Sequence, residues 1–403
     1  MTAAIERLAA GLAARASEGL ARSRSVVSTP QGRAIVVDGR PLVSFASNDY
    51  LGLAADPRVA GALAAGVQAF GAGAGASHLL GGHQSPHAEL EAALAALVRP
   101  CDGARALTLS SGYLANLAIM TTLADRDSEI FADRLNHACL NDGALLSRAT
   151  FTRYRHLDVD GLRARLAASR AATRVIVTDA VFSMDGDVAP LAALAELADA
   201  HDAWLVVDDA HGFGVLGEGR GSLADAGVAS ARIVAMATLG KAAGVAGAFV
   251  AAHPTVIDAI VQTARPYIYT TAAPAALATA ALASVAIIRD DAPRRAALFA
   301  RIAQWREGAR SLPWPRPASR TAIQPLVVGD ARGASSLSAA LRDAGVWAPA
   351  IRPPTVPAGT ARLRISLSAA HAPDDVERLL AALRAAAPAR ATAARAMVGA
   401  GAQ

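Results

Sequence analysis

Trp204-Leu-Val-Val-Asp-Asp-Ala-His-Gly212 and Ile233-Val-Ala-Met-Ala-Thr-Leu-Gly-Lys241 are the two runs on which the fold turns. Each begins as a short apolar stretch without polar alternation, the pattern of a strand buried on both faces. Each then breaks into residues that carry chemistry: Asp208, Asp209 and His211 after the first, Thr238 and Lys241 after the second. Ligands of open α/β sheets bind at the carboxyl ends of strands. Two carboxylates, an imidazole and a lysine are therefore expected to gather at one sheet edge. Lys241 is flanked by Gly240 and Ala242, which leave room for a flat ligand, and a lysine so placed suggests covalent chemistry.

Working outward, further strand candidates fall at 105–109, 129–132, 150–154, 174–177 and 246–250. Helical patterns separate them, which implies a mostly parallel sheet covered by helices on both faces. Upstream, residues 3–25 read as one helix carrying Arg22 and Arg24, and 33–45 as a hairpin about Asp38-Gly39. Ser47-Asn-Asp-Tyr-Leu-Gly-Leu53 has no clear periodicity. Helices are expected at 57–70, at 85–98, from Gly112 and near His137, with a glycine loop at 71–82. Downstream, 273–309 is helical and the Pro-rich 313–317 marks a boundary. A smaller α+β set follows, with strands near 323–328, 345–348 and 362–368 and helices near 335–344 and 373–386. The expected domains are an arm and hairpin at 1–46, a large α/β domain at 47–290, a small α+β domain at 291–386, and a disordered Ala/Arg-rich tail at 387–403.

Composition narrows the function classes. A chain of 403 residues, 53% hydrophobic and 18% charged, has enough apolar material for a large core. The net charge of +5 favours anionic ligands, yet the arginines are dispersed, without the basic runs and interleaved aromatics of nucleic-acid binders. Phosphate-bearing small molecules are expected instead. Cys101 and Cys139 have no metal-ligand spacing and form no disulfide framework, so a reducing, cytoplasmic setting is expected. Glu6, Arg7 and Arg15 occupy positions where a signal peptide needs an apolar core. The stretch 270–288 is long enough to mimic a membrane span, but it is mostly alanine and contains Pro274, so a buried core helix is the better reading.

Several motifs fail their structural tests. Gly212-x-Gly214-x-x-Gly217 follows a strand, yet Glu218-Gly-Arg-Gly-Ser222 does not open the helix that a dinucleotide site needs. Gly240-Lys241 lacks the first glycine and the following Ser or Thr of a phosphate loop. His78, His83 and His87 straddle the glycine loop, their spacing places at most His83 and His87 on one helical face, and solvated or capping roles are expected rather than a metal.

The positive evidence matches what pyridoxal phosphate needs: a lysine for a Schiff base, an aspartate to hold the pyridine nitrogen protonated, and backbone donors at a helix start for the phosphate. Lys241, Asp208 and Ser111-Gly112-Tyr113 stand in those contexts. With Ser47 to Leu53, Ser111 to Asn116, His137-Ala138, Val181-Phe-Ser-Met-Asp-Gly-Asp187, Thr238 to Lys241 and Ala350-Ile-Arg-Pro-Pro-Thr-Val-Pro-Ala-Gly359, the chain resembles the α-oxoamine synthases over about 20–386. These are pyridoxal-phosphate enzymes of the aspartate-aminotransferase fold, so the resemblance implies a large domain with a mostly parallel, seven-stranded type of sheet and a smaller C-terminal α+β domain. The segment from Ala350 and the Arg362-Leu-Arg-Ile-Ser366 run after it favour the biotin-pathway member of the family.

Carried over residue by residue, the resemblance implies that Lys241 holds the cofactor, Asp208 meets its pyridine nitrogen and His211 its phenolate oxygen. His137 would stack on the ring, and Ser183 would touch it. Gly112, Tyr113 and Thr238 would hold the phosphate, with Thr271 reaching it from the second subunit of a homodimer. Asn48 and Arg352 would bind the amino-acid carboxylate, with His137 also facing substrate. Thr355 would contact substrate, and Arg22 the far carboxylate of the acyl chain. Ser77-His78 departs from the Ser-Arg or Ser-Gly of relatives, leaving His78 without a role. The implied reaction is decarboxylative condensation of L-alanine with pimeloyl-CoA or a pimeloyl-carrier protein, with neither nucleic acid nor membrane as partner. A sister oxoamine synthase using glycine or serine shares the cofactor constellation. A non-catalytic scaffold subunit would be expected to lose Lys241 or Asp208, and both are present.

Overall fold

A computed structural model describes residues 2–387; apart from Ala387, the tail expected from 387 onward lies outside the described residues. The chain divides into two compact units. One is formed by residues 48–183 and 187–296, the other by the residues up to Ser47, Met184–Gly186 and the C-terminal residues from Ala297.

Helix α1 (Ala3–Ser17) stops short of the 3–25 span expected from the pattern. Gly19 takes φ +70°, Gly19 N donates to Ala16 O (3.0 Å) and Leu20 N to Arg15 O (2.8 Å), a left-handed cap that ends the helix and leaves Arg22 and Arg24 beyond it. Strands β1 (Ala34–Val37) and β2 (Arg40–Ser44) form the expected antiparallel hairpin. Asp38 (φ +48°) and Gly39 (φ +78°) supply the two positive angles its tight turn needs.

The larger unit opens with α2 (Pro57–Phe70) and α3 (Ser85–Val98), each with proline in its first turn. Strand and helix then alternate through β3 (Arg105–Leu109), α4 (Gly112–Leu123), β4 (Ser128–Asp133), α5 (Ala138–Ser147), β5 (Thr150–Tyr154), α6 (Val159–Ala168), β6 (Thr173–Asp179), α7 (Leu191–Ala200), β7 (Ala203–Asp208), the short α8 (Ser222–Asp225) and β8 (Ile233–Thr238). The unit continues through β9 (Ala248–Ala252), α9 (Pro254–Thr263), the short α10 (Arg265–Ile268) and α11 (Ala275–Asp290). Its seven strands lie in the order β3-β9-β8-β7-β6-β4-β5, all parallel except β9, which runs against both neighbours. The mostly parallel seven-stranded sheet is thus the one expected. Strand β9 starts at Ala248 and not at 246, because Gly247 takes φ +97° and its carbonyl turns to accept from Leu239 N (2.9 Å) and Thr238 Oγ1 (2.9 Å).

The alanine-rich stretch at 270–288 yields α11, a core helix whose Ala276, Ala280, Val285 and Ile288 are buried. A Cβ added at Gly66 of α2 would come within 2.8 Å of Ala276 Cα, so small residues on both helices permit their close packing. Among the described residues no helix is long and apolar enough to cross a membrane.

Helix α12 (Ala292–Gly308) leads into the smaller unit, followed by β10 (Ile323–Gly329), α13 (Ala331–Asp343), β11 (Val346–Trp347), β12 (Ala350–Ile351), β13 (Ala361–Ser366) and α14 (Pro373–Ala385). Two three-stranded sheets result, β10-β13-β12 and β1-β2-β11. The strand expected at 345–348 is shorter, β11 at 346–347, and a further two-residue strand, β12, follows Pro349 and pairs with the other sheet. His371 stacks on Phe45 and donates to Ser44 O (2.7 Å), tying the hairpin to the residues ahead of α14.

Candidate active site

Strands β4, β6, β7 and β8 of the larger unit end in polar residues along one sheet edge: Asp133, Asp179, Asp208 and Thr238. Pairing sets Asp179 beside Asp208. Asp208 is 5% exposed, and its partners are neutral: Ala210 N donates to Oδ1 (3.0 Å) and Asn116 Nδ2 to Oδ2 (2.8 Å). Asn116 itself is fully buried on α4, one turn past Gly112, and its Oδ1 has no partner. Burial, reinforced by the charge of Asp208, pushes the Asp179 carboxyl well above the usual carboxylate range. Asp179 accepts from His137 N (2.9 Å) and so fixes the start of α5.

His137 caps α5, its Nδ1 accepting from Cys139 N (3.3 Å). Burial lowers its pKa against the pull of Asp208, and the positive charge of Lys241 acts in the same direction as burial.

Lys241 follows β8 in a turn closed by Gly244 N donating to Lys241 O (2.9 Å). Its Nζ lies 2.9 Å from His211 Nε2, and His211 Nδ1 lies 2.6 Å from Tyr50 Oη. Tyr50, fully buried, is also 3.1 Å from Asn48 Oδ1, so lysine, imidazole, phenol and amide form one chain. A Cβ at Gly244 (φ +67°) would lie 2.4 Å from Ala54 N, which shows how tightly the lysine turn is pressed on the 47–54 segment.

Asp209, adjacent to Asp208 in sequence, does structural work. It accepts from Ser222 N (2.7 Å) and from Ser222 Oγ, and burial pushes its carboxyl up to about 7. A Cβ at Gly212 would come within 2.0 Å of Ser222 Oγ and 2.2 Å of Asp209 Oδ1. The glycines after His211 thus serve loop packing.

At the start of α4, Ser111 Oγ accepts from Leu114 N (3.3 Å), and a Cβ added at Gly112 would meet the Met236 and Thr238 side chains of β8 at 3.6 and 3.9 Å. Thr238 Oγ1 accepts from Gly240 N (3.1 Å). Tyr113 is half exposed and hydrogen-bonds Asp142. Ser183 belongs to the same unit, and Thr271, also in it, is exposed, next to Ala272, whose N donates to Ala76 O (2.9 Å) in the glycine loop. Arg22, Arg352 and Thr355 belong to the smaller unit. There Arg352 grips the backbone at Gly19 O and Ala21 O (3.1 Å for the latter), and its carbonyl accepts from Thr355 N (3.1 Å).

Of the three histidines around the glycine loop, His87 takes an expected capping role and His78 does not take a solvated one. The loop folds back so that all three rings meet, with His78 Nδ1 3.0 Å from His83 Nδ1 and the His78–His87 and His83–His87 centroids 5.2 and 5.6 Å apart. His78 is buried against Tyr267 instead of solvated, and burial, followed by the charges of His87 and His83, lowers its pKa to about 4. His87 does cap α3: its Nδ1 accepts from Gln84 N (3.1 Å) while Nε2 donates to Ala273 O (2.8 Å). Among the described residues no group of three His, Cys, Asp or Glu is arranged to hold a metal.

A lysine and a buried carboxylate at neighbouring strand ends of this sheet mark the aspartate-aminotransferase-like fold. Residues 40–383 match the aminotransferase class I and II family, and the chain belongs to it. The 8-amino-7-oxononanoate synthase of Burkholderia mallei (strain SAVP1) is 58% identical over 377 residues, covering 93% of this chain and 96% of that protein. Among solved structures, a serine palmitoyltransferase holding pyridoxal phosphate superposes with a TM-score of 0.88 at 29% identity, over 94% of this chain and 96% of its own. The 8-amino-7-oxononanoate synthase of Francisella tularensis gives a TM-score of 0.74 at 29% identity, over 86% and 97%.

Proposed function

We propose that the chain is a pyridoxal-phosphate-dependent acyltransferase of biotin biosynthesis. It condenses L-alanine with a pimeloyl thioester to form 8-amino-7-oxononanoate, carbon dioxide and the free thiol. The observation that carries this is Lys241 set in the turn just past β8, the strand paired with the one that ends in buried Asp208, in a chain 58% identical to a synthase of that name.

The residues fit the cofactor. The Asp208 carboxylate is buried with neutral donors only, and a protonated ring nitrogen is the cation it lacks. The unpartnered Oδ1 of Asn116 marks the same spot as polar and incompletely satisfied. The N-terminus of α4, twelve residues long, offers backbone donors to a phosphate at Gly112 and Tyr113, with Thr238 alongside. Lys241 would hold the cofactor covalently, His137 would cover its ring, and His211 would meet its phenolic oxygen. Ser183 would touch it as well, and Thr271 would reach the phosphate of a second subunit, which makes the functional unit a homodimer.

When bound, the cofactor supplies a sink for the electron pair left at the amino-acid Cα. Lys241, as a neutral amine, takes the Cα proton of alanine and returns one after decarboxylation. His211, 2.9 Å from Nζ, is placed to exchange a proton with it. Asn48 and Arg352 hold the alanine carboxylate until it leaves as carbon dioxide. Thr355 contacts the acyl substrate and Arg22 binds the far carboxylate of the pimeloyl chain. A cytoplasmic location accords with two buried free cysteines.

The second reading, a serine-using sister enzyme, has one observation in its favour: the TM-score of 0.88 to the palmitoyltransferase exceeds the 0.74 to the Francisella synthase. Both structures are 29% identical to this chain, so shape alone does not separate the two activities, whereas 58% identity to the Burkholderia synthase favours alanine and pimeloyl. Thiol release with alanine, glycine and serine against pimeloyl-, acetyl- and palmitoyl-CoA decides it. Turnover is expected with alanine and the pimeloyl thioester, and preference for serine with palmitoyl-CoA would overturn the assignment.

A further inference from the structure

We propose that Tyr50 is a positioning residue whose phenol donates to His211 Nδ1 and thereby fixes the tautomer that presents the Nε2 proton to Lys241. The proposal rests on the functional reading above and concerns how its lysine is kept competent.

A phenol carries one proton, and Tyr50 Oη faces two groups that are able to accept it, His211 Nδ1 at 2.6 Å and Asn48 Oδ1 at 3.1 Å. If the proton went to Asn48, His211 would donate from Nδ1 to the phenol and turn a bare Nε2 lone pair toward Lys241. Given to His211, the proton leaves Nε2 protonated and directed at Nζ, 2.9 Å away. The much shorter contact takes the proton, since a 2.6 Å separation is that of a strong O–H···N bond. The Asn48 amide then donates its Nδ2 to the phenol oxygen, an orientation related to the other by exchange of two nearly identical atoms.

Two consequences follow for the lysine. An N–H aimed at Nζ stabilises the neutral amine, which has a lone pair to accept it, over the ammonium, which has none. The same N–H is the donor that a phenolate oxygen of the cofactor requires. The backbone holds the pair in register: Tyr50 N donates to Asn48 O (2.8 Å), and Asp49 binds Leu53 N (2.8 Å) and Ala54 N (3.1 Å), winding the segment against the turn that carries Lys241.

The test compares full-length, cofactor-loaded wild type with Tyr50→Phe, which keeps the ring and removes the donor. Spectrophotometric titration of the bound cofactor should show the protonation midpoint moving up by about one unit, tenfold in proton affinity. The acidic limb of kcat/KM should move with it, while KM for alanine stays within about twofold. A midpoint and limb that do not move refute the proposal. Should the variant fail to fold, nitrogen-labelled histidine spectra of the unmodified chain decide the same point: an Nε2-protonated His211 is expected, and an Nδ1-protonated one overturns it. Failure of the wild type to bind pyridoxal phosphate at Lys241 would sink the proposed function and leave the tautomer measurement standing.

Discussion

Replacing His156 by Gln should remove a stabilising clamp whose strength depends on pH in a calculable way. His156 lies between two carboxylates, Nδ1 3.0 Å from Asp133 Oδ1 and Nε2 2.7 Å from Asp187 Oδ2, with Phe182 packed edge-on at 4.4 Å. Only an imidazolium donates from both nitrogens. Burial lowers its pKa, but the hydrogen bonds and charges of Asp133 and Asp187 outweigh it and raise the value from 6.5 to about 9. At about 1.36 kcal/mol per unit that gap corresponds to roughly 3 kcal/mol. The side chain is 24% exposed, so water screens part of it and about 2 kcal/mol is expected.

Below pH 6.5 both folded and unfolded chains carry the proton and the stabilisation is complete. Between 6.5 and about 9 only the folded chain keeps it, so stability falls as pH rises, and above about 9 the contribution is gone. Urea unfolding of wild type and His156→Gln should therefore show a stability difference that shrinks by about 2 kcal/mol between about pH 6 and about pH 9.5. A difference that stays constant, or widens with pH, would refute the clamp.

Three further outcomes are expected. Asp208→Asn should keep the cofactor bound but lower kcat by about a hundredfold or more, because the buried charge facing the ring is lost; undiminished turnover would contradict its role. Gly66→Ala should destabilise the larger unit by about 1–3 kcal/mol in chemical denaturation, since the new Cβ falls 2.8 Å from Ala276 Cα; an unchanged midpoint would show that α2 and α11 yield freely. Cys139 is 2% exposed and burial pushes its thiol up to about 12, so iodoacetamide at mildly alkaline pH should leave it unlabelled in the native protein, and rapid labelling would falsify that environment.

The parts of the site legible in the sequence are those tied to strand ends. Asp208 closes the apolar run of β7 and Lys241 follows that of β8 by a short turn, so reading the strands places the side chains. Gly112 and Tyr113 open a helix after a strand in the same way. Tyr50 and Asn116 carry no such signal, and Asp179, which closes β6 after an apolar run in the same way, gives no hint in the sequence of which strand it will lie beside. Tyr50 lies in a segment without periodicity and reaches His211 only through tertiary packing. Asn116 looks like an ordinary helix residue until Asp208 is found beside it, and Asp179 matters through register with Asp208. The histidine loop shows the same limit, since helical spacing says nothing of how a glycine-rich segment folds back. The early end of α1 had a readable signal in Gly19, the residue able to take the left-handed cap angle.

The most direct test of the central claim, that Lys241 beside Asp208 runs decarboxylative condensation of alanine, is release of labelled carbon dioxide from carboxyl-labelled L-alanine. Wild type should release it one for one with free thiol, only when a pimeloyl thioester is present, and Lys241→Ala should release none. Thioester-independent release, or release that persists in Lys241→Ala, would contradict it.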